Sequence, residues 1–75
     1  MGQTRVSNGI RKLRFLANEM TQQELAKRIG VSRQTVVAIE KAKYSPSLEL
    51  AFRIAAVFEV PLESVFSFEG VDGGA

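Results

Sequence analysis

Residues 21–41, TQQELAKRIGVSRQTVVAIEK, contain two helix-start signals with one glycine between them. Thr21 precedes Glu24 by three positions. This is the spacing of a capping box, in which the Thr hydroxyl accepts from the third amide and the glutamate reaches back. Met20 and Leu25 stand where a hydrophobic staple closes. Leu25, Ala26 and Ile29 recur at helical spacing, and Gly30 suits the left-handed residue that ends a helix. Ser32 then caps a second helix, Arg33 to about Lys41, with Val36 and Ile39 turned inward. A helix, the turn Gly30-Val31-Ser32 and another helix make a helix-turn-helix unit. Gly30 lets the chain swing sharply away, and Val31 plugs the angle between the helices.

Working outward, the periodicity stays helical and no alternating run is long enough to compete as a strand. A first helix is predicted from about Asn8 to Asn18, with Ile10, Leu13 and Leu16 apolar and Ser7 or Asn8 as cap. Lys43-Tyr44-Ser45-Pro46 is a turn, because Pro46 disfavours helix at Ser45. Ser47 caps a fourth helix, Leu48–Phe58, which is apolar on nearly every side and is therefore expected to be the buried centre of the core. Only Glu49 and Arg53, spaced four apart, give it a polar edge. Pro61 opens a short fifth helix, Leu62 to about Phe66. The reading is an all-α, five-helix domain over residues 8–68, preceded by an arm, 1–7, and followed by a glycine-rich, frayed tail, 69–75.

The 75 residues are enough for one small domain, and they include no cysteine and no histidine. No disulfide can staple the fold, and the usual ligands of a structural zinc are missing. The commonest general base and the thiol nucleophile are missing as well, which argues against an enzyme. The serines serve as caps and turn residues, and Glu49, Glu59 and Glu63 are solvated. No glycine-rich loop follows a strand to cradle a phosphate. No apolar run near the start resembles a signal peptide or a membrane span. Met1-Gly2 does not begin a myristoylation motif, since Val6 stands where Ser or Thr is needed. A soluble cytoplasmic binding protein is expected, with no cofactor, metal, membrane or small-molecule ligand.

The net charge of +2 hides a division. Residues 1–44 hold nine of the ten basic residues and three acidic ones, for a net +6. Residues 45–75 hold Arg53 against five acidic residues, for a net −4. A basic front half suggests a polyanion on one side of the molecule. The outer face of the third helix suits DNA. Arg33 can donate two bonds to guanine, Gln34 can pair with adenine, and Val37 and Ala38 can meet thymine methyls in the major groove. A merely solvated face would more often carry Glu or Lys than Val37. Gln22 and the amides opening the second helix can hold a phosphate. Lys43 can hold another, with the Tyr44 hydroxyl beside it. One such helix reads few base pairs, so two copies on half-sites one helical turn apart are expected. Leu62 and Val65 are assigned to the core, and Phe66 and Phe68 to the dimer contact.

The run MTQQELAKRIGVSRQTVVAIEKAKYSPSLELAFRIAAVFEVPLESVF, residues 20–66, resembles the phage-repressor type of helix-turn-helix domain, the Cro and Xre-like regulators. The resemblance implies a five-helix, lambda-repressor-like domain that binds a palindromic operator as a homodimer and regulates transcription, most commonly as a repressor. It matches Gln22 to a phosphate contact, Arg33, Gln34, Val37 and Ala38 to base-reading positions, and Thr35 to a position near the DNA backbone. It also pairs a first-helix arginine, here Arg14, with a glutamate near the end of the third helix, here Glu40. Two departures stand out. Residues 17–20 are one residue longer than the commonest family spacing. Lys41-Ala42-Lys43 lacks the common glycine, so a differently shaped turn is expected. The alternative function is a protein-interaction module, an antitoxin or adaptor that touches DNA weakly.

Overall fold

The computed structural model describes residues 4–68. Five helices follow one another in the order expected: α1 (Ile10–Leu16), α2 (Gln22–Ile29), α3 (Arg33–Glu40), α4 (Leu48–Phe58) and α5 (Leu62–Val65). Two strands that the pattern did not predict frame them, β1 (Val6–Asn8) and β2 (Phe66–Phe68). They pair antiparallel with Val6 opposite Phe68, Ser7 opposite Ser67 and Asn8 opposite Phe66. The all-α expectation is therefore corrected to a mostly helical fold with a small sheet. Three residues per strand are too few for alternation to register, and the partners lie at opposite ends of the domain.

The caps explain where the central helices begin. Thr21 Oγ1 accepts from the Glu24 amide at 3.0 Å, Ser32 Oγ from Thr35 at 3.2 Å and Ser47 Oγ from Leu50 at 3.1 Å. The expected reciprocal half of the capping box is not formed, because Glu24 turns its carboxylate to Arg28 at 2.9 Å. Gly30 ends α2 at φ 79°, the left-handed conformation that costs glycine nothing. α1 is shorter than expected, and its N-cap position is Gly9. Asn8 still contributes, since its Oδ1 accepts from the Ile10 amide at 3.1 Å. Phe66 belongs to β2 instead of α5, and Pro61 sits at the N-cap of α5, one place before the first turn.

Ile10, Met20, Leu25, Ala26, Ile29, Val36, Ile39, Ile54, Ala55 and Val65 form the buried core, with Leu13, Val31, Leu62 and Phe66 packed partly against it. The staple pair Met20 and Leu25 is thus in place. Two expectations fail here. Leu16 on α1 lies 66% exposed. On α4 only Ala51, Ile54 and Ala55 are buried, while Leu48 and Phe52 stand 66% and 55% exposed. A domain this small has too little interior to surround a whole helix, so α4 buries one stripe and leaves the other in solvent.

The segment read as an N-terminal arm, 1–7, is bonded to the domain from Thr4 onward. The Thr4 amide donates to the Ala42 carbonyl at 2.9 Å, and β1 continues from Val6. The predicted frayed tail, 69–75, lies outside the described residues. Among the described residues, no helix is long and apolar enough to cross a membrane.

Candidate nucleic-acid interface

α3 stands with its capped N-terminus outward. Arg33 and Gln34, its first two residues, are exposed. Val37 and Ala38 follow on the same outer face and are half-buried. The inner face is closed by Val36 and Ile39, each 1% exposed, so the helix cannot roll without opening the core. The four base-reading candidates therefore share one fixed, solvent-facing surface. Thr35 is half-buried at its edge, and its hydroxyl lies 3.0 Å from Ser32 Oγ within the cap.

A polar network fixes α3 against α1 and α2. Arg14 grips the carboxylate of Glu40 through Nε (2.7 Å to Oε2) and Nη2 (3.2 Å to Oε1). The remaining guanidinium nitrogen, Nη1, donates to the Met20 carbonyl at 2.7 Å, in the loop just before α2. The pair named by resemblance is thus formed despite the longer loop. Asn18 and Glu19 take up that length with successive left-handed conformations, φ 63° and 58°. Gln22 joins the same carboxylate, with Nε2 donating to Glu40 Oε1 at 3.2 Å. This orients the Gln22 amide at the mouth of α2. Nothing in the residue pattern signalled it, because the bond spans two helices.

The end of α3 is shaped as the common family glycine would shape it, although no glycine is present. Ala42 adopts φ 57°. The expectation of a differently built turn is corrected: Ala42 N–H donates to Ile39 O and Lys43 N–H to Ala38 O, both at 2.9 Å. The N-terminal segment braces this turn, with Asn8 Nδ2 donating to Ile39 O at 2.8 Å. Lys43 and Tyr44 follow immediately, both exposed.

Some cations are paired within the fold, and others, Arg5 and the α2 residue Lys27 among them, make no ion pair among the described residues. Arg28 pairs with Glu24 at 2.9 Å and Arg53 with Glu49 at 2.8 Å, each one helical turn apart. Arg14 is held by Glu40. Arg33, Lys41 and Lys43, on and just beyond α3, make no ion pair among the described residues, and neither do Arg11 and Lys12 on α1. The sequence reading passed over Arg11 and Lys12. Their signal was the outward side of α1, opposite Ile10 and Leu13.

A second, more apolar surface is built from β1, α4, α5 and β2. Val6, Pro46, Leu48, Ala51, Leu62 and Phe66 line a cleft of about 320 Å³. Val6, Leu62 and Phe66 also border an adjoining hollow that Phe68 closes. Phe68 is 54% exposed and Phe66 half-buried.

Residues 10–65 match the family model described as helix-turn-helix, HTH_3. The chain belongs to the helix-turn-helix family. This domain is 53% identical over 64 residues to the uncharacterized HTH-type transcriptional regulator MJ0272 of Methanocaldococcus jannaschii, covering 85% of this chain and 96% of that one. It is 38% identical over 61 residues to the cryptic phage CTXphi transcriptional repressor RstR of Vibrio cholerae, covering 81% of this chain and 54% of RstR. A crystal structure of a Bacteroides fragilis protein superposes with a TM-score of 0.72 at 22% identity, covering 83% of this domain and 98% of that chain, which supports the fold.

Proposed function

We propose that this chain is a sequence-specific DNA-binding regulator of transcription that lays α3 in the major groove and acts as a repressor by occupying a palindromic operator as a homodimer. The observation that carries this reading is the group of cations, unpaired among the described residues, beside the exposed face of α3. Arg28 on α2 and Arg53 on α4 are paired within the fold, whereas Arg33, Lys41 and Lys43 around α3 have no carboxylate partner among the described residues and stand free for an external anion. Uncompensated cations beside an exposed helix suit a polyphosphate, since the release of counterions favours binding.

Arg33 and Gln34 read base edges, and Val37 and Ala38 contact methyl groups. Gln22, Thr35, Lys43 and Tyr44 hold the DNA backbone and set the register. The names of the relatives, a transcriptional regulator and a phage transcriptional repressor, support the same reading. The apolar face around Leu48, Leu62, Phe66 and Phe68 receives a second copy of the chain, because Leu48 and Phe68 stand exposed beside half-buried Leu62 and Phe66.

In vitro selection of duplex DNA tests the reading. A defined, two-fold symmetric site is expected. Arg33→Ala and Gln34→Ala should each weaken binding to it by about 1–3 kcal/mol and relax preference at one position of each half-site. Unaltered binding by both variants contradicts the assignment of α3.

A further inference from the structure

We propose that the groove between α1 and α3 carries one strand of the DNA backbone, with Arg11 and Lys12 binding phosphates and Phe15 and Val37 forming an apolar wall against the sugars. The inference rests on the DNA-binding reading above and adds a second contact surface to it.

The groove encloses about 830 Å³. Arg11, Lys12 and Phe15 line it from α1, Val37 and the Arg14-bound Glu40 from α3, and Lys41 from just beyond α3. It is therefore continuous with the proposed base-reading face, since Val37 belongs to both. Its chemistry selects the occupant. Three polar groups of the lining already make bonds within the protein. The Asn8 amide donates to Ile39 O, Gln22 donates to Glu40, and Arg14 is held by Glu40 and Met20 O. Arg11, Lys12 and Lys41 remain, with no carboxylate within ion-pair distance among the described residues. Cations ranged along a groove suit phosphates, contacts that position a duplex without reading its sequence. Phe15, 66% exposed, follows Arg11 by one helical turn, so cation and ring present on one face. An alternating charged and apolar backbone, phosphate then deoxyribose, matches that pairing. An acidic peptide would find the cations but would not explain their continuity with α3.

The experiment compares wild type, Arg11→Ala/Lys12→Ala, Arg11→Gln/Lys12→Gln and Arg33→Ala. Each is titrated over a series of NaCl concentrations against the selected duplex and a scrambled duplex of equal length. Both α1 variants should lower the slope of log K against log salt by about 1.8, the value for two phosphate contacts. They should weaken binding to the two duplexes by the same factor, about tenfold or more at moderate salt, and leave the ratio between them intact. The Gln pair guards against a loss of side-chain bulk, and thermal melts confirm that all variants are folded. An unchanged slope in both α1 variants, with Arg33→Ala still reducing the preference for the selected duplex, overturns the groove assignment and leaves the DNA-binding reading standing. A wild-type protein that binds neither duplex overturns both.

Discussion

Arg14 on α1 and Glu40 at the end of α3 form a two-bonded ion pair, 2.7 Å and 3.2 Å, with side chains only 15% and 9% exposed. The two residues are 26 positions apart, so the pair holds the first and third helices in one arrangement. The same carboxylate orients Gln22. Glu40→Ala removes one partner and leaves a largely buried guanidinium. The expected cost is about 3 kcal/mol. In a double-mutant cycle, Arg14→Met/Glu40→Met should cost less than the two single changes together, since no lone charge is then stranded. Urea titrations of the four proteins provide the measurement.

The cap at Thr21 is local and its loss should be modest. Thr21→Ala should lower stability by about 1 kcal/mol. For a domain of this size that corresponds to a fall in Tm of roughly 4–8 °C. Because Glu24 is engaged by Arg28 and does not reach back to the cap, Glu24→Ala should cost distinctly less than Thr21→Ala. Equal melting shifts would mean that the reciprocal bond forms in solution.

Left-handed backbone at residues other than glycine offers a route to stabilisation. Glu59 ends α4 at φ 57°, and Ala42 follows α3 at the same angle. An L side chain pays roughly 1–2 kcal/mol in that region. Glycine removes the strain and loses part of the gain to a freer unfolded chain. Glu59→Gly and Ala42→Gly should therefore each raise stability by up to about 1 kcal/mol. The converse holds at Gly30, φ 79°, where an added Cβ would meet Arg53 Nη1 at an ordinary 3.5 Å. Gly30→Ala should cost about 1 kcal/mol from backbone strain alone, with no steric clash. Calorimetry on the three variants checks the signs.

Lys43 is expected to act on affinity without selectivity. Lys43→Ala should weaken binding to all duplexes alike and reduce the salt slope by about one. A loss confined to one sequence would assign Lys43 a base contact instead. Phe66→Ser and Phe68→Ser test the other face. Phe68 is the cleaner probe because it is 54% exposed and contributes little to the core. Sedimentation should show Phe68→Ser shifted toward monomer at a concentration where wild type is dimeric.

The helices were legible because each carries its own punctuation. Thr21, Ser32, Ser47 and Gly30 act within a few residues, and the structure uses all four. Arg14–Glu40 was legible only through resemblance, since no local rule links residues so far apart. The strands escaped notice for the same reason. Leu48 and Phe52 were misplaced because composition reports how apolar a helix is and not how much neighbouring structure exists to cover it. Arg11 and Lys12 were visible as charges, but their relation to Val37 arises only when α1 and α3 are brought side by side.

The pairing of β1 with β2 has a bearing on how the chain reaches its native state. Val6 meets Phe68 and the Gly9 amide reaches Val65 O, contacts that span almost the whole domain. Closing so long a loop carries an entropic cost that neighbouring helices do not face. α2 and α3 can nucleate early from adjacent residues, whereas the sheet is a late event. During synthesis on the ribosome, β1 is made early but can pair only after Phe68 has emerged. Until then Val6 and the Gly9 amide wait without their partners at the C-terminal end of the domain.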